Sequence, residues 1–197
     1  MKWLSEKLTN YVIKTGVVSK ELYAVYQYGF QIGLEMFCCF TACFIIAVYL
    51  HIISEFIIFT GIFIMLRTYA GGIHLNCFGS CLICSVVVQT VALLISITYQ
   101  FPIKSAWIII IISAILIYKL SPVESISRKL DKEEKKHCKK ITLIIIISIC
   151  IFAGCCTLGC AYKAVSLIAL TMMIVFISQC FGIIKYKLCK KYKYMGI

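Results

Sequence analysis

Of 197 residues, 62% are apolar and only 14% are charged, where a soluble domain carries about 25% charged residues. A water-soluble fold of this size leaves roughly 30% of its unfolded surface exposed, which excludes hiding so much apolar surface and makes lipid the solvent for much of the chain. The net charge of +12 suits nucleic acid or an anionic membrane, but the Lys and Arg residues lie in the gaps between apolar runs. The charge therefore reads as topology and lipid contact, not as a nucleic-acid surface.

Residues 1–28 are mixed in character. Trp3, Leu4, Leu8, Tyr11, Val12 and Ile13 interleave with Lys2, Lys7, Lys14 and Lys20, the pattern of an amphipathic helix lying in the membrane interface. Met1 to Phe30 lacks a short apolar core ending in a small-residue cleavage site and is not read as a signal peptide.

Residues 29–184 form the expected transmembrane domain. Its six apolar runs cover about 30–50, 52–66, 77–99, 103–118, 141–162 and 164–184. A straight span needs ~20 residues, so the second and fourth runs are short. The fold class is all-α: a polytopic membrane protein of about six transmembrane helices, with four crossings and two half-inserted runs as the alternative. Residues 119–140 are the longest polar stretch, a basic loop opened by the helix-breaking turn Ser121-Pro122. Residues 185–197 are a basic tail.

Cytoplasmic loops carry the excess of Lys and Arg in membrane proteins. With six crossings, one side collects four Lys before residue 21, Arg67, eight basic residues from Lys119 to Lys140 and five Lys from 185 onward. The other side holds Lys104 and Lys163. This split predicts a multi-pass protein of the cell membrane with both termini cytoplasmic. The thirteen Cys lie mostly inside apolar runs, where thiols behave as small hydrophobes, and their odd count and irregular spacing do not suit a disulfide framework.

The candidate chemistry lies in residues 67–84, Arg67-Thr-Tyr-Ala-Gly-Gly-Ile-His74-Leu-Asn-Cys77-Phe-Gly-Ser-Cys81-Leu-Ile-Cys84. Gly71-Gly72 offers the backbone freedom of a tight turn. Arg67, His74, Asn76, Ser80 and Cys81 are polar at a depth where protein or a water cavity must surround them. His74 and Cys81 suit a nucleophilic pair: the thiolate attacks a carbonyl, and the imidazole lowers the thiol pKa and protonates the leaving amine. On one continuous helix, positions seven apart lie ~10 Å apart along the axis, whereas a base must come within ~3 Å of its proton. The pair therefore requires a bend, with His74 on a loop and Cys81 in the first turns of the next helix. Zinc held by His74, Cys77, Cys81 and Cys84 is the rival reading, but four ligands along one straight helix cannot surround a tetrahedral ion. No metal is expected.

RTYAGGIH followed by Cys81 resembles the signature of the AgrB family, accessory gene regulator protein B of Gram-positive quorum sensing. Its members carry Arg-x-x-(small)-Gly-Gly-x-His with a catalytic Cys seven residues beyond the His. Chain length, span pattern and the Ser-Pro turn at Ser121-Pro122 share the likeness. The resemblance implies a membrane cysteine endopeptidase that processes an AgrD-like pro-peptide through a thioester into a cyclic thiolactone, with no cofactor. Position by position, Cys81 falls on the nucleophile and His74 on the general base, with Arg67 and Gly72 on supporting positions. Ser80, Glu55 and Gln89 are candidates for a third member on burial grounds, and a dyad is the alternative.

An acidic peptide tail would be steered by Arg128, Lys129, Lys132, Lys135 and Lys136, with Lys139 and Lys140 beside them. Solvated positive-inside charge is the plain reading of the same loop. The other expected contacts are membrane lipids, and Gly and Ser on several faces permit a homodimer. The competing function is a small transporter or exporter of a peptide without peptidase activity. It calls for polar groups along several spans, and only Glu35 and Glu55 are ionisable deep in the apolar runs.

Overall fold

In the computed structural model the backbone is described for residues 2–16, 19–72, 78–123 and 131–194. Within these, the side chains of Lys2, Lys20, Phe78, Cys81 and residues 189–194 lie outside the description. Seven α-helices follow in order: α1 (Lys2–Lys14), α2 (Tyr23–Tyr49), α3 (Ile53–Ala70), α4 (Phe78–Thr98), α5 (Ile103–Leu120), α6 (Lys132–Leu158) and α7 (Tyr162–Tyr194). No strand occurs among the described residues. Each of the six apolar runs falls on one helix, α2 to α7.

By length and apolarity, α2, α3, α5, α6 and the Tyr162–Leu188 part of α7 can cross a membrane, and Leu82–Thr98 of α4 is a shorter apolar stretch. At 1.5 Å per residue, the 18 residues of α3 and of α5 span about 27 Å, close to the ~30 Å hydrocarbon thickness. The short second and fourth runs are thus lengthened by flanking residues. Outward-facing side chains support lipid as solvent: Ile108, Ile111, Ile112 and Ile115 on α5 and Ile144, Ile147 and Ile151 on α6 are all exposed. A soluble monomer rarely displays apolar surface so continuously. The chain is a multi-pass membrane protein.

The chain divides into two compact units, Met1–His51 with Leu75–Thr90, and Ile52–His74 with Val91–Ile197. In the first, α1 packs along α2. Ser5 and Thr9 are fully buried on one side of α1, the Thr9 hydroxyl donating to the Ser5 carbonyl at 2.7 Å. Trp3 and Tyr11 are exposed, and the Lys7 ammonium lies 5.0 Å from the Trp3 ring centroid. Aromatic rings paired with cations are typical of the membrane–water boundary. The Gln27 amide donates to the Glu6 carboxylate at 3.2 Å and ties α2 to α1. The expected interfacial helix thus ends at Lys14; Gly16 turns the chain at φ +73°, and α2 begins at Tyr23, ahead of its apolar run.

In the second unit α7 is the central helix, packed against α3, α5 and α6. Residues Val165 to Met172 are buried without a break, the signature of a helix apolar all round. They meet Leu66, Ile110, Ile117, Ile146 and Ile149, while Ala106, Ala114, Ala153 and Ala169 keep the backbones close. Polar groups in this core are partnered across helices. The Phe101 N–H donates to Ser166 Oγ at 2.9 Å, and Trp107 Nε1 donates to Thr157 Oγ1 at 3.2 Å. Helix α6 starts at Lys132, well before the apolar run at Ile141, because Asp131 and Glu134 form a capping box, the Asp131 N–H donating to the Glu134 carboxylate at 3.2 Å. Half of the expected basic loop is therefore helix.

Candidate functional site

Helix α3 ends at Ala70 because Gly71 follows with φ +82° and ψ −175°, a conformation open essentially to glycine alone. A helix end leaves carbonyls without intrahelical partners, and two of these are satisfied here. The Gly71 N–H donates to the Arg67 carbonyl at 3.2 Å. The Ala70 carbonyl accepts twice, from the Val123 N–H at 3.0 Å and from Gln179 Nε2 on α7, also at 3.0 Å. Val123, directly after Ser121-Pro122, is thereby fixed at the end of α3. A Cβ on Gly71 would come within 2.8 Å of the Val123 carbonyl oxygen and 3.0 Å of its nitrogen. Ser121 is held in turn, its hydroxyl donating to Thr142 Oγ1 at 3.1 Å.

Arg67 lies one turn before this end. Its Nη1 donates to Ser178 Oγ at 3.1 Å, and its guanidinium lies 5.5 Å from the Phe63 ring centroid. Gly72 is buried against the same pair: a Cβ there would meet Ser178 Oγ at 2.9 Å and Arg67 Nη1 at 3.5 Å. The glycines thus serve different ends. Gly71 supplies a conformation, and Gly72 supplies the room that lets Arg67 and Ser178 meet.

Of the residues expected to act, His74 lies outside the described residues, as do Asn76 and Cys77. Cys81 is placed by its backbone in the first turn of α4, with its side chain outside the description. The helix from Arg67 stops at Ala70 and the next starts at Phe78, so residues 67–81 do not form one unbroken helix. Ser80 is exposed, Gln89 is buried, and the half-buried Glu55 accepts from Ser54 Oγ at 2.8 Å. Of the expected peptide-steering residues, Arg128 and Lys129 lie outside the described residues. Lys132 and Lys136 are exposed, and Lys135 half-buried, at the start of α6. Among the described residues no cluster of three or more His, Cys, Asp and Glu could hold a metal.

The sequence reading passed over Ser178 and Gln179. Their only signal was two adjacent polar side chains inside the otherwise apolar sixth run, where an intramembrane polar group calls for a partner.

The family model of accessory gene regulator B matches residues 5–184. The chain belongs to the accessory gene regulator B family. That membership gives it a role in the accessory gene regulator system, and the matched stretch takes in α2 to α6, the anchored end of α3 and the Ser178–Gln179 pair of α7. No curated protein and no solved structure matches the chain.

Proposed function

We propose that this accessory gene regulator B protein is a membrane cysteine endopeptidase that cleaves an AgrD-like pro-peptide and closes its N-terminal part into a thiolactone. The observation that carries this reading is the coincidence, within one family, of the RTYAGGIH stretch with Cys81 seven residues beyond His74. The break between Ala70 and Phe78 is compatible with the bend that such a pair requires.

Cys81, as thiolate, attacks the carbonyl carbon of the scissile peptide bond. The C–N bond breaks, the His74 imidazolium gives its proton to the leaving amine, and a thioester joins the substrate to Cys81. A thiol within the substrate then loses its proton to His74 and attacks that thioester carbonyl. The Cys81 thiolate leaves, and a ring closes through a new thioester. One thioester replaces another, so the exchange is nearly balanced, and exclusion of water favours it over hydrolysis.

Arg67, fixed by Ser178, and Gly72 are assigned supporting roles at the end of α3. Lys132, Lys135 and Lys136, with Arg128 and Lys129, raise the local concentration of an acidic peptide tail, each exposed pair contributing roughly 0–1 kcal/mol. Both termini lie in the cytoplasm on this reading, and α1 receives the amphipathic part of the peptide at the inner leaflet. The test uses membranes carrying Cys81→Ala, Cys81→Ser or His74→Ala and an AgrD-like peptide. All three variants should lose cleavage, and persistence in either Ala variant removes the assignment.

A further inference from the structure

The apolar run of α6 begins at Ile141, and two lysines sit directly before it. Along a helix rising 1.5 Å per residue, Lys140 stands about 1.5 Å and Lys139 about 3 Å above Ile141, whereas Lys135 stands about 9 Å and Lys132 about 13 Å above it. A bilayer with ~30 Å of hydrocarbon and ~40–45 Å including headgroups has a headgroup layer about 5–8 Å deep on each side. The cations of α6 therefore fall into two tiers: Lys139 and Lys140 within the headgroup layer, Lys132 and Lys135 above it. In the lower tier Lys139 is half-buried, its ammonium held 4.9 Å from the ring centroid of Tyr118 on α5. The Ser121 hydroxyl, donating to Thr142 Oγ1 at 3.1 Å, fixes the corner between the two helices at the same level. The residues three and four positions from Lys139 and Lys140 are Lys135, Lys136, His137, Thr142, Leu143 and Ile144, so no carboxylate stands beside either lysine on the helix surface. Like charges at these spacings repel, and a bound anion relieves them. Below the lysines, Leu143, Ile144 and Ile147 continue the same side of α6, and all three are exposed.

We propose that the corner of α5 and α6 binds one anionic phospholipid, its phosphodiester held by Lys139 and Lys140 and its acyl chains lying along Leu143, Ile144 and Ile147. Depth and shape favour a lipid over an acidic peptide or a free anion. The two cations lie at the level of lipid phosphate, and apolar surface continues straight below them, which a water-borne peptide tail or inorganic phosphate would not use. A lipid of zero net charge carries its own cation into the site, which competes with the lysines; a net anionic headgroup does not. Because the Tyr118 ring already holds one ammonium, less side-chain freedom is lost when the headgroup binds. The upper tier keeps the steering role proposed for it, and the lipid site stands whether or not the chain is a peptidase.

The full chain, purified in a neutral detergent, is titrated with phosphatidylglycerol or with phosphatidylcholine of the same acyl chains. Tm is followed against lipid mole fraction, and retained lipid is counted by native mass spectrometry. Phosphatidylglycerol should raise Tm, as a ligand of the folded state does, and stay bound as a single molecule per chain. Phosphatidylcholine should do neither at the same mole fraction, and equal binding of the two overturns the inference. Lys139→Gln together with Lys140→Gln should weaken the apparent affinity for phosphatidylglycerol roughly 30-fold, at about fivefold for each cation near the surface. Lys132→Gln together with Lys135→Gln removes the same charge from the upper tier, about a Debye length away, and should leave the affinity within about twofold. Tyr118→Leu keeps every charge and should still weaken binding several-fold by releasing Lys139. Equal losses in the two double variants would mean diffuse attraction to the whole basic segment and would overturn the site. Displacement of the lipid by inorganic phosphate or by an acidic-tailed peptide would do the same, since either would make this a general anion site. Where Tyr118→Leu does not fold, the comparison of the two double variants decides.

Discussion

Replacing Gly71 with Ala tests whether the α3 terminus is built as described. The native φ of +82° with ψ of −175° costs a residue bearing a Cβ about 1–3 kcal/mol. The added carbon would also stand 2.8 Å from the Val123 carbonyl oxygen and 3.0 Å from the Val123 nitrogen. Both are backbone atoms and cannot swing aside as a side-chain tip can. Val123 must retreat, which weakens its 3.0 Å hydrogen bond to the Ala70 carbonyl, a bond contributing about 0.5–1.5 kcal/mol. Together the two effects come to about 3 kcal/mol, a fall of roughly 6–12 °C in Tm at about 2–4 °C per kcal/mol for a chain of this length. Thermal unfolding of the detergent-solubilised protein, followed by the accessibility of its buried thiols, reads the shift directly. Gly33→Ala is the internal control, because nothing lies within 4 Å of a Cβ there. A Gly71→Ala protein that melts with the wild type would refute the account of this turn, whatever its effect on peptide processing.

Gly72→Ala should act through a side chain instead: Ser178 Oγ, 2.9 Å from the new carbon, turns away and weakens a charge-assisted bond that contributes about 1.5–3 kcal/mol. In a Ser178→Ala background that bond is already lost, so the added effect of Gly72→Ala on Tm should shrink, and strict additivity would contradict the contact. Trp107→Phe removes the 3.2 Å bond to Thr157 and should lower stability by about 0.5–1.5 kcal/mol, visible as a small drop in Tm with peptide cleavage intact. Changing Lys132, Lys135 and Lys136 together to Gln should reduce kcat/KM several-fold for an acidic-tailed peptide at low salt. The loss should fade as ionic strength rises, and a neutral-tailed peptide should not register it.

Much of the architecture was legible in hydropathy, since each apolar run became one helix. The run edges were less informative than the helix edges. Helix α2 starts at Tyr23 and α6 at Lys132 because hydropathy senses lipid contact, while a helix can continue into water on its own backbone bonds. For α6 the capping box at Asp131 and Glu134 was written in the polar segment, where net charge drew the eye instead. In the site, Arg67 and Gly72 stood out through the likeness to a family motif, and the structure supplies what they touch. Ser178 was beyond reach of local pattern, being 111 positions from Arg67 in the chain. Gln179 offered only its amide in an apolar run, with no hint that the partner would be the backbone of Ala70. Ser80, favoured on burial grounds, is exposed, since periodicity in a helix apolar on every side does not say which face meets protein.

Helix α6 carries its basic residues on the same rod that enters the bilayer. From Lys132 to the apolar run at Ile141 the helix rises about 13 Å at 1.5 Å per residue, and Lys139 is braced over the Tyr118 ring at 4.9 Å from its centroid. Positive charge is therefore held at set heights and compass bearings above the hydrocarbon, in the manner of rungs on a mast. A flexible loop of the same composition would smear that charge over the membrane surface. A rod instead keeps it in a fixed order along one axis.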